Sequence, residues 1–204
     1  LSVAQNLGLL GLFKYWPFIR QSFVAAYPAS QAFLPNLLFD AHAIVLPAGI
    51  SFYTFESLSF VIDVYRREVT PPKNILDFAA FIAMFPRFVA GPIVRYREIE
   101  SQYKSYRGLD LERGFYLFLC GFCLKTLFAD HFALFTDYAF ANDGHLGFAA
   151  AWIGVFAYTL QIYFDFSGYS LMAIGLGWCL GFEFPDNFNR PYVARTLQDF
   201  WRRW

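Results

Sequence analysis

Charge is what this chain has least of. Only 16% of its 204 residues are charged, its 16 basic and 16 acidic side chains cancel, and no basic block occurs. Tracking a phosphate backbone takes clustered Lys and Arg, so no nucleic acid is expected as a partner. Cysteine is also scarce. Cys120, Cys123 and Cys179 are odd in number and lie in apolar stretches, which does not read as a disulfide framework. Cys120 and Cys123 make a C-x-x-C, but with no second ligand pair it reads as small-residue helix packing, and no metal is expected. The amino terminus lacks a signal peptide's order of basic flank, apolar stretch and small-residue cleavage site. There is no internal repeat and no low-complexity linker.

Apolar and aromatic residues are what is present. Hydrophobic residues make up 57% of the chain and aromatic ones 22%, with 27 phenylalanines and 13 tyrosines. That is more apolar surface than a soluble domain of this length can cover, so a lipid bilayer is the expected surrounding. Four stretches approach the roughly 20 residues of a spanning helix: Ile44 to Val64, Leu76 to Val94, Gly114 to Phe140 and Phe148 to Phe182, with a partial one at the amino terminus. None shows the alternation of a membrane barrel. The fold class expected is all-α, a polytopic transmembrane protein.

Basic residues set the orientation. Residues 21 to 65 and 126 to 189 contain no Lys or Arg, whereas Arg66, Arg67, Lys73, Arg95, Arg97, Lys104, Arg107 and Arg113 crowd two connections. Those connections are expected to be cytoplasmic, with the membrane crossed several times. Leu76 to Val94 then has both flanks on one side and is interrupted by Phe85-Pro86-Arg87 and Ala90-Gly91-Pro92, so a re-entrant segment is expected. Phe148 to Phe182 is too long for one span and short for two. With Asp165-Phe166-Ser167-Gly168 in its middle, it is expected to break into a span and a second re-entrant segment, or into two short tilted spans.

Charges inside a bilayer are costly, which singles out Glu56, Asp63, Arg87, Lys125, Asp130 and Asp165. Lys125 lies roughly 17 Å into its helix and must snorkel, pair or line a polar cavity. Asp130, five residues on, shares its face only approximately, so a direct pair is not assured. A structural ion pair to a neighbouring helix and a catalytic role both remain open. Glu56 and Asp63 are seven apart and could point together into a bundle interior. Arg87 either holds a phosphate or carboxylate bidentately or bonds carbonyls freed by Pro86 and Pro92. His42 and His145 fall in connections near Asp40 and Asp143, where a solvated role is the default. His131 adjoins Asp130 but cannot face it, and no nucleophile triad is spaced within the chain.

Several motifs occur in order: 46–55 (Leu-Pro-Ala-Gly-Ile-Ser-Phe-Tyr-Thr-Phe), Val64-Tyr65-Arg66, Phe85-Pro86, Ala90-Gly91-Pro92-Ile93, Lys125 with Ala129-Asp130, and Tyr163-Phe164-Asp165-Phe166-Ser167-Gly168-Tyr169-Ser170. They end in Asn187 to Tyr192 and Asp199-Phe200-Trp201-Arg202-Arg203-Trp204. Together they resemble the membrane-bound O-acyltransferase family, in its alginate-type, polysaccharide-acetylating branch. The resemblance implies a multi-helix membrane enzyme with a central tunnel that moves an acyl group to a hydroxyl of an exported polysaccharide or to a periplasmic or extracellular acceptor partner protein. The donor implied is acetyl-CoA or another acyl thioester, with no resident cofactor.

The family's base is a histidine immediately after the tryptophan that aligns with Trp204. The chain is therefore expected to be a partial transmembrane domain, residues 1–204, cut at both ends and inactive alone. Arg87, Lys125, Asp165, Ser167, Asn187, Arg190, Trp201, Arg203 and Trp204 are the expected tunnel-lining or substrate-lining residues. Trp201 to Arg203 have another reading, because aromatic-basic clusters mark membrane interfaces generally. One departure bears on the acyl group. The acetylating branch has an aspartate after Tyr-Ser, and here Leu171 stands in its place, as in the branch that transfers D-alanine to teichoic acid. A transporter or channel with broken helices and buried charges is the remaining, non-enzymatic reading.

Overall fold

A computed structural model describes residues 2–28, 47, 49–72, 74–87, 91–105 and 108–204. Asp40, His42, Leu46, Ala48, Lys73, Ala90 and Arg107 lie outside the described residues. All regular structure among those described is helical, as the composition implied. The chain divides into two units, Leu1–Met84 and Phe85–Trp204.

In the first unit, α1 (Ser2–Leu10) runs through a π turn (Gly11–Tyr15) into α2 (Trp16–Ala26), whose first turn accommodates Pro17. Helix α3 (Ile50–Tyr65) begins after Gly49, whose φ of 74° suits a residue without Cβ. It buries Thr54, Glu56 and Asp63, so the two carboxylates do turn inward as their spacing predicted. Lys14 in the π turn donates to Ser51 Oγ at 2.9 Å. Helix α4 (Ile75–Ile82) is capped by Asn74, which accepts from Leu76 N at 3.0 Å, and Phe78 packs on Phe60. The helix stops at Ile82, ahead of Pro86.

The second unit opens with a 3-10 turn (Phe85–Arg87), has no regular structure over residues 91–95, and continues into α5 (Tyr96–Lys104). The break expected near Pro86 and Pro92 is therefore present. Helix α6 (Leu111–Cys123), capped by Asp110, continues through a second π turn (Leu124–Ala129) into α7 (Asp130–Ala141). The continuous segment Leu111–Ala141 is, among the described residues, the one helix both long and apolar enough to cross a membrane. A tight turn (Asp143–His145) leads into α8 (Phe148–Cys179), and α9 (Leu197–Arg203) closes the unit.

Helices α6 and α8 lie against each other along a seam of glycines. A Cβ on Gly121 would stand 2.5 Å from the Gly168 carbonyl oxygen, and one on Gly175 would stand 2.5 Å from that of Gly114. The paired positions recur every seven residues on both helices, so the backbones touch over two turns. Small residues are how helices approach closely where surrounding lipid removes the hydrophobic drive. Cys179 lies over Gly114, and all three cysteines are free.

One expectation is overturned. The break proposed at Asp165-Phe166-Ser167-Gly168 is absent, and α8 runs unbroken for 32 residues. At 1.5 Å per residue it is roughly 48 Å long, well beyond the ~30 Å of a hydrocarbon core. The physical reason is local. Asp165 has a cationic partner on the neighbouring segment, and Gly168 is the contact point of the seam, so neither interrupts the ladder.

Candidate functional site

One face of α8 carries Tyr163, Phe164, Ser167, Ser170, Leu171 and Ile174, spaced as a helical stripe. Asp186, Asn187 and Phe188 return across it after α8 ends, and Leu124 of the second π turn closes one side. They line a half-open cavity of about 190 Å³. Its wall is mostly apolar with a few convergent polar groups, the usual make-up of a small-molecule site. Asn187 Nδ2 donates to Ser170 Oγ at 2.9 Å, and Ser170 is 2% exposed. Ser167 Oγ is buried with no hydrogen-bond partner, a group whose desolvation is uncompensated until something meets it.

The returning segment is fixed from below by aromatic rings. Trp204 lies edge-on to Phe188 (5.2 Å between centroids) and stacks on Phe200 (5.5 Å), while Tyr163 meets Phe188 and Tyr192 edge-on. Such pairs stabilise by about 0.5–1.5 kcal/mol each beyond their buried area. The Tyr192 hydroxyl donates to the Thr159 carbonyl at 3.0 Å. Burial, then the adjoining Tyr163 phenol, hold it above the ordinary phenol range. Asn189 N donates to the Arg203 carbonyl at 2.7 Å. Arg203 bonds Asp199 through Nε (2.9 Å) and Arg202 bonds the other oxygen (2.6 Å). These guanidiniums, Arg203 first, hold the Asp199 carboxyl below its usual value. Thr196 caps this helix by accepting from Asp199 N.

The π turn between α6 and α7 gathers the charges. In an α-helix, residues five apart stand roughly 140° from one another around the axis. A π turn closes its hydrogen bond on the fifth residue instead, and Asp130 N donates to the Lys125 carbonyl. That brings the Asp130 carboxylate onto the Lys125 ammonium, the pair that spacing on an α-helix left unassured. Lys125 Nζ also reaches Asp165 Oδ1 of α8 at 3.1 Å. The register follows from the seam, because four residues beyond Gly121 and four before Gly168 lead to Lys125 and Phe164, next to Asp165.

The expected site residues thus separate into groups. Ser167 and Asn187 share the cavity. Lys125 and Asp165 pair with each other beside it, and Trp204 and Arg203 support the segment that covers it. Arg87 stands elsewhere in the unit, 1% exposed, with Nη1 donating to the Val94 carbonyl at 3.1 Å. Arg190 and Trp201 are exposed. Arg190 contributes through its backbone, left-handed at φ 47°, which turns the chain into Pro191. Ser170, Tyr163 and Leu171 were not singled out as lining residues. The signal was there, since each falls on the helical stripe that Ser167 defines. His131 Nδ1 sits 3.2 Å from the Thr126 carbonyl, and His145 is exposed. No group of three or more metal-ligating side chains occurs among the described residues.

Comparison with known proteins fits this arrangement. Residues 65–204 match the membrane-bound O-acyltransferase family. A probable alginate O-acetylase of Azotobacter vinelandii is 46% identical over all of this chain and 40% of its own length. One of Pseudomonas syringae pv. tomato is 45% identical over all of this chain and 39% of its own length. A peptidoglycan O-acetyltransferase of Helicobacter pylori is 34% identical, covering 100% of this chain and 43% of its own. A teichoic acid D-alanyltransferase of Bacillus subtilis is more distant, at 28% identity over 96% of the chain and 47% of its own. The chain spans about two fifths of the length of the first two of these relatives.

Proposed function

This chain belongs to the membrane-bound O-acyltransferase family, and we propose that the protein containing it transfers an acetyl group from a thioester donor to hydroxyls of an exported polysaccharide. The observation that carries the reading is the similarity, along the whole of this chain and about two fifths of each relative, to two probable alginate O-acetylases, set against a weaker similarity to a D-alanyltransferase. In the reaction, a sugar hydroxyl oxygen bonds to the acyl carbon, the carbon–sulfur bond breaks, and the thiol departs while the hydroxyl proton passes to a base. The proposal leaves proton abstraction to the histidine that the family resemblance assigns. The residues here bind and orient. Ser167, Ser170 and Asn187 offer hydroxyl and amide groups, and Asp186 a carboxylate, in a mostly apolar cavity whose size suits a short acyl group. The proposal includes a multi-pass setting in a bacterial inner membrane, with Leu76–Val94 re-entrant, and a polysaccharide or an acyl-carrying partner protein on the far side.

The test is complementation. A polysaccharide-producing strain that lacks its own O-acetylase should regain base-labile acetyl esters on the exported polymer when the protein containing this chain is expressed. Polymer that stays free of acetyl while the protein accumulates in the membrane would reject the reading. Leu171 at the cavity wall favours the D-alanyl alternative, and esterified D-alanine in place of acetate would establish it.

A further inference from the structure

We propose that Lys125, Asp130 and Asp165 form a positioning clamp that shapes the wall of the acyl cavity, rather than lining it. This inference rests on the acyl-transfer reading of that cavity.

Three observations carry it. None of the three charged residues borders the cavity, yet two cavity residues are their immediate neighbours: Leu124 precedes Lys125 and Phe164 precedes Asp165. The Phe164 ring lies nearly parallel to Phe128 of the π turn (5.0 Å between centroids, 25°) and to Phe132 of α7 (6.0 Å, 9°). A cavity-wall ring thus packs on one residue inside the turn that the Lys125–Asp130 link closes and on one just beyond it. Finally, the π turn itself holds one more residue per turn than an α-helix, and such turns concentrate at functional sites. Here the Asp130 amide bonds the Lys125 carbonyl while the two side chains pair, so the same two residues close the turn twice.

Charge arithmetic completes the picture. Lys125 faces two carboxylates, and its side chain is 40% exposed while that of Asp165 is 54% exposed. Charged groups at membrane depth face protein or water and seldom lipid, so this side of the helix pair is turned away from the acyl chains. Removing the ammonium leaves two carboxylates in mutual repulsion across the gap between the π turn and α8. That repulsion loosens the turn and lets Phe164 and Leu124 shift. Misplacement by about 1 Å lowers an enzyme's rate by as much as 10²-fold.

The experiment uses the protein containing this chain, purified in membrane mimetic. Lys125→Met is compared with the charge exchange Lys125→Asp/Asp165→Lys, which keeps one ammonium and two carboxylates. Two readouts separate positioning from a merely structural role. The first is KM for the acyl donor, expected to rise about tenfold in Lys125→Met and to recover in the exchange. The second is the rate at which a small thiol reagent labels Ser167→Cys, against a background of the three native cysteines. It is slow while the clamp holds, and expected to rise about tenfold with Lys125→Met and to return with the exchange. A Lys125→Met protein that loses folded yield alone, with KM and labelling of the folded fraction unchanged, overturns the proposal. Should the parent show no acyl transfer, the functional reading fails, while the labelling comparison still decides the clamp.

Discussion

The two π turns among the described residues use the same residue type in different ways. In the first unit, Lys14 of Gly11–Tyr15 reaches across to a neutral hydroxyl, Ser51 Oγ. In the second unit, Lys125 of Leu124–Ala129 reaches two carboxylates, one within its own turn and one on α8. A π turn points a long side chain toward a neighbouring helix in both places. The partner's charge determines the consequence: the first contact is a single hydrogen bond, the second a charge-assisted network that fixes two segments at once. The second turn also sits one helical turn beyond a glycine contact that brings the backbones together, and it borders the cavity.

That contrast can be broken most severely at the seam. Gly121→Leu forces a side chain into the Gly168 carbonyl and the Met172 amide. It is expected to destabilise the second unit by about 3 kcal/mol, whereas Gly144→Ala, with nothing near its Cβ, should change little. Denaturant titration of the purified protein distinguishes them. Next in size is Lys125→Met, expected to lower stability by about 1.5 kcal/mol through loss of charge-assisted bonds. Lys14→Met, the matched change in the other π turn, should lower it by about 0.5 kcal/mol. Equal effects at the two lysines would dissolve the distinction.

The smallest effect concerns the ion pairs that Asp199 makes with Arg202 and Arg203 in α9. The Asp199 carboxyl is held below its usual value of 3.8 by Arg203 and Arg202, so its folded state favours the ionised form. Its contribution is therefore present above that value and is lost as pH falls through the lower folded one. The melting temperature of the parent should drop slightly more than that of Asp199→Asn as pH falls below 3.8. An identical acid response in both would remove the pairs from the account.

Composition and periodicity made the helical class legible, and Pro86 and Pro92 correctly marked irregular backbone. Lys125 and Asp165 stood out because isolated charge in an apolar stretch demands a partner. The π turn was not legible. It depends on register against α8, which the glycine pairs set and which no single segment reveals. The same register explains the misread break in α8. Asp165, Ser167 and Gly168 look like interruptions along one helix, and become contacts and cavity wall once the second helix is placed. The cavity's other half comes from residues 186–188, which follow α8 and fold back on it. Local pattern gives no sign of that return. Arg87 was legible as buried, and only the geometry chose its carbonyl partner.

The central claim is that this chain serves acyl transfer to a polysaccharide hydroxyl. The most direct measurement is transfer of radiolabelled acetyl from acetyl-CoA to a soluble polysaccharide, using proteoliposomes of the protein containing this chain. The account predicts label in polymer ester, released by mild base and sharply reduced by Lys125→Met. Label that crosses the membrane without entering an ester would contradict it and return the broken helices to a transporter.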